Sequence, residues 1–309
     1  MKRIIPFIIG LCVLVLLILK VGVGDLIHAI SLADGYLLLI SFLILVITML
    51  IKNVRWNFLL SKVSRCGFRK SSLIYFVGQL TNEIMPIGSG ELVRIYWVKR
   101  EDRTSFAKPL SSIIIERVFD LLILLTVTIL GINIILNLQG FSHFLILSTF
   151  IILSLILLAI QPRLINPFLK ILPKRISLKI SKKLEEFMKA RTSYSRDALS
   201  LTLGVSVLAW LVETCAQATL LLSFGYALPF VRILAIVTIS WLLGTFSFLP
   251  GGLGAREAVF AYFLTLSNVP LGIAITVSLV YRAFVYLAFG MLVLVFLLIN
   301  RMSFEDFAS

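Results

Sequence analysis

The sequence predicts an all-α fold: a polytopic transmembrane helix bundle with two re-entrant, broken-helix hairpins arranged as an inverted-topology repeat. Three observations lead to this prediction. Of the 309 residues, 60% are hydrophobic and only 14% are charged, whereas about a quarter of the residues in soluble domains are charged. Several apolar runs reach the roughly 20 residues needed to cross a bilayer core. Two of these runs are broken by Pro and Gly in matching patterns.

The apolar runs define the predicted elements in chain order. The first follows Lys2 and Arg3 and could be a signal peptide, but no clear small-residue cleavage site comes after it, so we expect an uncleaved helix. The others have lengths that suit membrane helices or pairs of shorter helices. The runs lie at about 4–20, 34–51, 71–98, 110–137, 143–160, 198–222, 230–266 and 271–299.

The distribution of basic residues predicts the orientation. The formal net charge is +14, and basic residues of multi-pass membrane proteins gather in cytoplasmic loops. Residues 52–70 carry six basic and no acidic side chains, and residues 161–197 carry ten basic ones. The segments 21–33 and 131–142 have no Lys or Arg. We therefore expect the basic segments and both termini in the cytoplasm, the other two segments outside, and no nucleic-acid partner.

Two apolar runs do not fit simple spans in this topology. The chain is inside at Lys70 and inside again at Lys99, so 71–98 must enter the membrane and return on the same side. By the same reasoning, 230–266 leaves from the outside and returns to the outside. Pro and Gly allow a reversal of the chain, and the predicted re-entrant turns contain Pro86, Gly88 and Gly90 in the first run and Pro250, Gly251, Gly252 and Gly254 in the second.

The two broken runs also resemble each other, which predicts an internal repeat. Both read Pro-x-Gly-x-Gly followed by a charged half-helix, and they enter from opposite faces. Paired Gly/Pro-interrupted segments of this kind indicate an inverted repeat with a binding site near the membrane midplane. We expect one membrane domain, 1–309, with halves at about 34–160 and 198–299. The basic connection 161–197 is expected to form an amphipathic helix on an anionic leaflet, the alternative being a solvated linker.

The breaks predict a site for anions. A half-helix that begins inside the membrane directs free N–H groups and its positive dipole end at a cavity. Arg94 and Arg256 would add positive charge there, and Glu91 and Glu257 would pair with these arginines while the site is empty. The alternative is that Arg256 and Glu257 only mark a helix start near the headgroups.

A third group of charges lies at the start of a long apolar run. Glu116, Arg117 and Asp120 fall within five residues, and ionisable groups inside a span need partners or water. They either serve function or lie at the cytoplasmic rim. Arg282 lies well inside the last run and calls for a carboxylate partner. Arg55 lies at a predicted helix end, where we expect a snorkelling anchor.

Other residue types suggest no further chemistry. The three cysteines, Cys12, Cys66 and Cys215, are too scattered for a disulfide framework or a metal site. No phosphate-binding loop of the G-x-x-x-x-G-K-[ST] type is present. We expect no catalytic residue, no metal and no cofactor.

Several of these residues together form a recognisable pattern. The sequence resembles the lysylphosphatidylglycerol synthase transmembrane region, a group of prokaryotic flippase-like membrane proteins, over about 4–299. The fairly specific strings are Pro-Gly-Gly-x-Gly-x-x-Glu and Glu-Arg-x-x-Asp. The residues that carry the resemblance are Arg55-Trp56, Asn82-Glu83, Pro86, Gly90-Glu91, Arg94, Glu116-Arg117, Asp120, Leu249 to Gly254 and Glu257.

The resemblance implies a lipid flippase or transporter, not an enzyme, in a prokaryotic cytoplasmic membrane. Its partners would be membrane lipids with anionic headgroups, and its substrate a polar-headed, phosphate-containing lipid. We expect the stand-alone form, without the soluble aminoacyl-transfer domain. Two alternatives stay open: an intramembrane lipid-linked transferase with Glu116 and Asp120 as acid and base, and a membrane partner of a lipid- or glycolipid-synthesis enzyme that docks on 161–197.

Overall fold

A computed structural model describes residues 5–85, 88–103, 105–136 and 185–301, and within these ranges the regular structure is helical throughout. The first described helix is α1 (Ile5–Val21), which coincides with the first predicted apolar run. Gly22 then takes a positive φ of 89°, and α2 (Val23–Leu32) continues at an angle of 74° to α1. Segment 21–33, which we expected to be an external loop, is therefore mostly helical.

Apart from the helical stretch at 185–192, the remaining helices of the described residues form two groups of four with nearly equal lengths. In each group a long helix is followed by two short ones and a second long one. The lengths are 27, 17, 14 and 30 residues in the first group and 28, 17, 11 and 30 in the second. The first group is α3 (Gly35–Ser61), α4 (Phe68–Ile84), α5 (Ser89–Asp102) and α6 (Ala107–Leu136); the second is α7 (Arg196–Ser223), α8 (Phe230–Phe246), α9 (Ala255–Thr265) and α10 (Leu271–Asn300).

Local sequence signals explain where several helices begin. The Asp34 carboxylate accepts hydrogen bonds from the backbone N–H of Tyr36 at 2.8 Å and of Leu37 at 3.2 Å, which caps α3. The Ser195 hydroxyl caps α7 in the same way. Proline precedes both α8 and α10. These signals set the first residues of α3, α7, α8 and α10.

The two groups are interlocked. The first helices, α3 and α7, pack along each other, and within each group the two short helices pack together as α4 with α5 and α8 with α9. The second helix of each group packs against the last helix of the other group, since α4 lies against α10 and α8 against α6. Each of these contacts therefore has a counterpart when the two groups are exchanged.

Helix length and composition identify membrane spans. Among the described residues, α3, α7 and α10 are each long and apolar enough to cross a membrane, and the bent pair α1 and α2 makes a fourth if it counts as one span. At about 1.5 Å per residue, the short helices reach only about 17 to 26 Å. They are thus shorter than a hydrocarbon core of about 30 Å.

The polarity of α3 is reversed relative to a helix of a water-soluble protein. Its exposed face carries Leu39, Leu43 and Ile47, whereas Ser41 and Thr48 are buried against the bundle. An apolar outer surface and a polar interior suit a helix surrounded by lipid, because polar groups inside a membrane must find partners within the protein.

Two predicted features lie outside the described residues. They are the apolar run 143–160 and most of the connection 161–197; only its last part is described, with a helical stretch at 185–192. Pro86 of the first predicted turn also lies outside them.

Cys66 lies in the loop between α3 and α4. The dependence of its alkylation rate on pH tests whether its thiol is buried. Burial, followed by the nearby charges of Glu101 and Asp102, raises the pKa of the Cys66 thiol to about 11. A thiol reacts as its thiolate, so in a Cys12→Ser/Cys215→Ser protein we expect alkylation of Cys66 at pH 8 to be about 100-fold slower than that of an ordinary thiol. The measured rate should rise tenfold per pH unit to about pH 11. A plateau near pH 9 would contradict this prediction.

Candidate functional site

One buried ion network joins α3, α5 and α6. The Arg55 guanidinium donates to Asp120 Oδ1 at 2.6 Å and to Glu116 Oε1 at 2.8 Å. Arg94 donates to the other oxygen of Glu116 at 2.6 Å. All four side chains are buried. We call this group the Arg55 network; two arginines and two carboxylates balance their charges inside it.

Arg94 is held by aromatic faces as well as by charge. Its guanidinium carbon lies 4.3 Å from the centre of the Trp56 ring and 4.9 Å from that of Tyr75. This is cation–π geometry, which favours a desolvated arginine. Its Nε and Nη1 atoms are buried without a hydrogen-bond partner.

Arg55 corrects one prediction. We expected a snorkelling anchor at a helix end, but α3 continues to Ser61 and Arg55 is 2% exposed. The prediction failed because Lys52 and Arg55 made this part of the chain look like a basic loop. Both cations are instead neutralised by carboxylates on other helices, so the helix can carry them inside the bundle.

The first break lies between α4 and α5. Gly88 has a positive φ of 76°, and the Asn82 side chain accepts a hydrogen bond from the backbone N–H of Gly90 at 2.8 Å. Glu91, the third residue of α5, accepts from Asn82 and pairs with Arg117. The predicted pairing of Glu91 with Arg94 is therefore not seen, since Arg94 takes Glu116 instead.

The second break lies between α8 and α9. Gly251, Gly252 and Gly254 all have positive φ angles, of 53°, 64° and 77°. Glu257, the third residue of α9, accepts a hydrogen bond from the Gly254 backbone N–H at 2.7 Å and so caps the helix. Gly254 packs against α1, where an added Cβ would lie 2.8 Å from the Gly10 carbonyl oxygen.

Arg282 connects the second break to α4. Its Nε donates to Glu257 at 2.7 Å and its Nη1 to Glu83 at 3.0 Å, and the guanidinium also donates to the Gly251 carbonyl oxygen. The predicted need of Arg282 for an intramembrane carboxylate is thus met. Arg256 is less closely paired, with its Nε 3.7 Å from Glu257.

A glutamate–arginine pair recurs in the two helix groups. Glu91 and Glu257 are each the third residue of their short helix. Arg117 and Arg282 are the eleventh residue of α6 and the twelfth of α10. The Glu91–Arg117 side chains are 20% and 46% exposed, whereas those of Glu257 and Arg282 are 1% and 4% exposed. The same pair is therefore open in one group and closed in the other.

A family model of the lysylphosphatidylglycerol synthase TM region matches residues 3–295. The chain belongs to this family. It is a multi-pass membrane protein. The match spans both helix groups and every charged side chain of the Arg55 network and of the two glutamate–arginine pairs.

Three proteins similar to this family member come from archaea. It is 27% identical to a UPF0104 membrane protein of Methanothermobacter thermautotrophicus, covering 91% of this chain and 89% of the relative. It is 26% identical to one of Pyrococcus horikoshii, with 91% and 92% covered. A third, from Methanocaldococcus jannaschii, is 24% identical, with 93% and 91% covered.

Sequence analysis missed a further, partly buried pair in this family member. Glu213 on α7 accepts from Lys52 Nζ at 2.9 Å and from the Tyr281 hydroxyl. Lys52 also lies 4.9 Å from the centre of the Trp210 ring. Their separation of 161 residues in sequence hid the pair; the only signal was a glutamate inside an apolar run.

The predicted site residues thus divide among three places. Glu116 and Asp120 lie in the Arg55 network with Arg94; Glu91 pairs with Arg117; Glu257 lies with Arg282 and Arg256. Within the described ranges, no group of three or more His, Cys, Asp or Glu side chains could hold a metal ion. In each of these places the described side chains set carboxylates against arginines.

Proposed function

We propose that this protein moves a phospholipid with a charged head between the two leaflets of the membrane. The family name refers to lysylphosphatidylglycerol, a lipid whose head carries both phosphate and ammonium groups, and this supports a substrate of that general kind. A zwitterionic head with one phosphate and one ammonium group can replace an ion pair without changing the net charge, because phosphate takes the place of the glutamate and ammonium that of the arginine.

The observation that carries the proposal is the recurring glutamate–arginine pair. An arginine suits phosphate through its planar, multi-donor geometry. The Glu91–Arg117 pair is accessible, so a headgroup can reach it without disrupting the core. The Glu257–Arg282 pair is buried. If each pair serves one leaflet, only one of the two pairs is expected to be accessible at a time.

We further propose that the two helix groups form an inverted-topology repeat. Their matching helix lengths and exchangeable contacts support this, and so do the two short helix pairs that follow the first helix of each group. In such repeats one group rocks against the other to expose a site alternately to each side. The cytoplasmic placement of both termini and the convergence of both half-helix ends on one chamber stay predictions.

Reconstituted vesicles can test lipid movement directly. Vesicles would contain fluorescent phospholipids in both leaflets, and a membrane-impermeant reductant would quench the outer leaflet. We expect protein-containing vesicles to lose nearly all fluorescence and protein-free vesicles about half. Glu91→Gln and Arg117→Gln should each slow this loss by about tenfold, the effect of removing one hydrogen bond to a charged group.

The control is Lys189→Gln, which removes an exposed ion pair with Glu185 and should leave lipid movement unchanged. Comparing the rates of movement of labelled lipids with and without an amine in the head shows whether the substrate is zwitterionic or purely anionic. Rates equal to the parent protein in both Glu91→Gln and Arg117→Gln would contradict the role of this pair. Quenching no greater than in empty vesicles would contradict the proposed function.

A further inference from the structure

A small buried cavity lies within the second helix group, bounded by α7, α8, α9 and α10. Its lining includes Gln217, Ser240, Trp241, Arg256, Glu257 and Tyr281. Its free volume is about 10 Å³, close to what one water molecule requires. The cavity is separate from the accessible Glu91–Arg117 pair, which lies in the first group.

Unsatisfied donors line this cavity. Arg256 is 5% exposed, and neither its Nη1 nor its Nη2 has a hydrogen-bond partner. The indole Nε1 of Trp241 is also buried without a partner. The guanidinium carbon lies 4.4 Å from the centre of the Trp241 ring. Arginine and tryptophan nitrogens only donate, and a buried charged donor left unpaired is costly, so these groups call for an acceptor.

The closest carboxylate is already engaged by other donors. Oε1 of Glu257 lies 3.7 Å from Arg256 Nε but accepts from Arg282 Nε at 2.7 Å, and its Oε2 accepts from the Gly254 N–H. It therefore leaves the two outer nitrogens of Arg256 unsatisfied.

The hydroxyl groups around the cavity already donate hydrogen bonds to other acceptors. Ser240 donates to the Ile236 carbonyl oxygen at 2.6 Å, and Ser278 donates to that of Ile275 at 2.8 Å. Tyr281 donates to Glu213. The strongest free donors at the cavity are thus those of Arg256 and Trp241, one of them cationic.

We propose that this cavity binds a single-atom monovalent anion, chloride being the representative case. A halide is somewhat larger than the water molecule that the cavity can hold, whereas phosphate and carboxylates are larger still. It can accept hydrogen bonds from Arg256 and Trp241 together, while a water molecule brings no charge to a cationic site. The site is independent of the proposed lipid movement and would stabilise the second helix group around its broken helix.

Thermal unfolding of the detergent-purified protein tests the site. Melting temperatures would be compared in sodium chloride, sodium bromide and sodium gluconate at equal ionic strength, because gluconate is too large for the cavity. We expect a saturable rise in the halides alone, of about 5 °C at one hundred times the dissociation constant. Arg256→Gln should abolish the rise. Arg100→Gln is the matched control, since Arg100 lies 5.0 Å from the Trp97 ring on the exterior, and it should keep the rise.

If Arg256→Gln does not fold, a second variant can still test the site. Trp241→Phe keeps the ring and the cation but removes one donor, so halide affinity should fall several-fold. Equal melting temperatures in chloride and gluconate would overturn the proposal and leave a water molecule as the occupant. A full halide response in Arg256→Gln would also overturn it. An equal response to phosphate would show that the cavity opens for larger anions, which contradicts a single-atom site.

Discussion

Replacing Glu116 with Gln is expected to lower the melting temperature of the purified protein by about 10 °C. Glu116 is 1% exposed and accepts hydrogen bonds from both Arg55 and Arg94. The neutral amide would leave two buried guanidinium groups sharing Asp120 alone. Breaking a buried ion pair by removing one partner typically costs about 3–5 kcal/mol, which corresponds to a shift of this size in a protein of a few hundred residues.

The neighbouring residue provides the control. Arg117→Gln removes the cation of an ion pair whose side chains are partly exposed, and such pairs contribute about 0–1 kcal/mol. We therefore expect a shift of no more than about 3 °C in melting temperature. Equal shifts in the two variants would mean that the Arg55 network is not needed to hold α3, α5 and α6 together.

Replacing Gly90 with Ala is expected to reduce sharply the yield of well-folded protein. An added Cβ would lie 2.6 Å from Asn82 Cγ and closer still to the Gly78 carbonyl oxygen. The latter is backbone of α4, which cannot rotate away, so the hairpin of α4 and α5 would have to open. Overpacking of this kind costs about 1–3 kcal/mol or more. Melting temperature and elution profile in detergent would measure the loss.

Gly204→Ala is the matched control, because Gly204 lies inside α7 with open space around it. Alanine favours a helix interior over glycine by about 1 kcal/mol, so this variant should be as stable as the parent protein or more stable. If Gly90→Ala were as stable as Gly204→Ala, that result would contradict the close packing of α4 and α5 at the first break.

The helices were the most predictable part of the structure. The runs 198–222 and 271–299 correspond to α7 (Arg196–Ser223) and α10 (Leu271–Asn300), because long apolar runs with clear ends depend little on their neighbours. The end of α3 was wrong by ten residues, since Lys52 and Arg55 indicate a loop unless their partners are known.

The sequence indicated which charged residues need partners, but it did not indicate their pairings. The Glu-Arg-x-x-Asp string indicated that Glu116, Arg117 and Asp120 need partners. Arg282, in the last apolar run, likewise indicated a need for a carboxylate partner. Which cation meets which carboxylate depends on helix packing. Glu83, for example, is 199 residues from the Arg282 that it accepts from. A single sequence contains no signal for such a contact.

The crosswise packing of α4 on α10 and α6 on α8 has a consequence for biosynthesis. Neither half of the polypeptide is a self-sufficient folding unit. The first half needs α8 and α10 of the second to cover its inner surface, and the second half needs α4 and α6 of the first. The early helices must therefore wait in the bilayer, with Lys52 lacking its partner Glu213, until ribosomal synthesis has reached the second half of the chain.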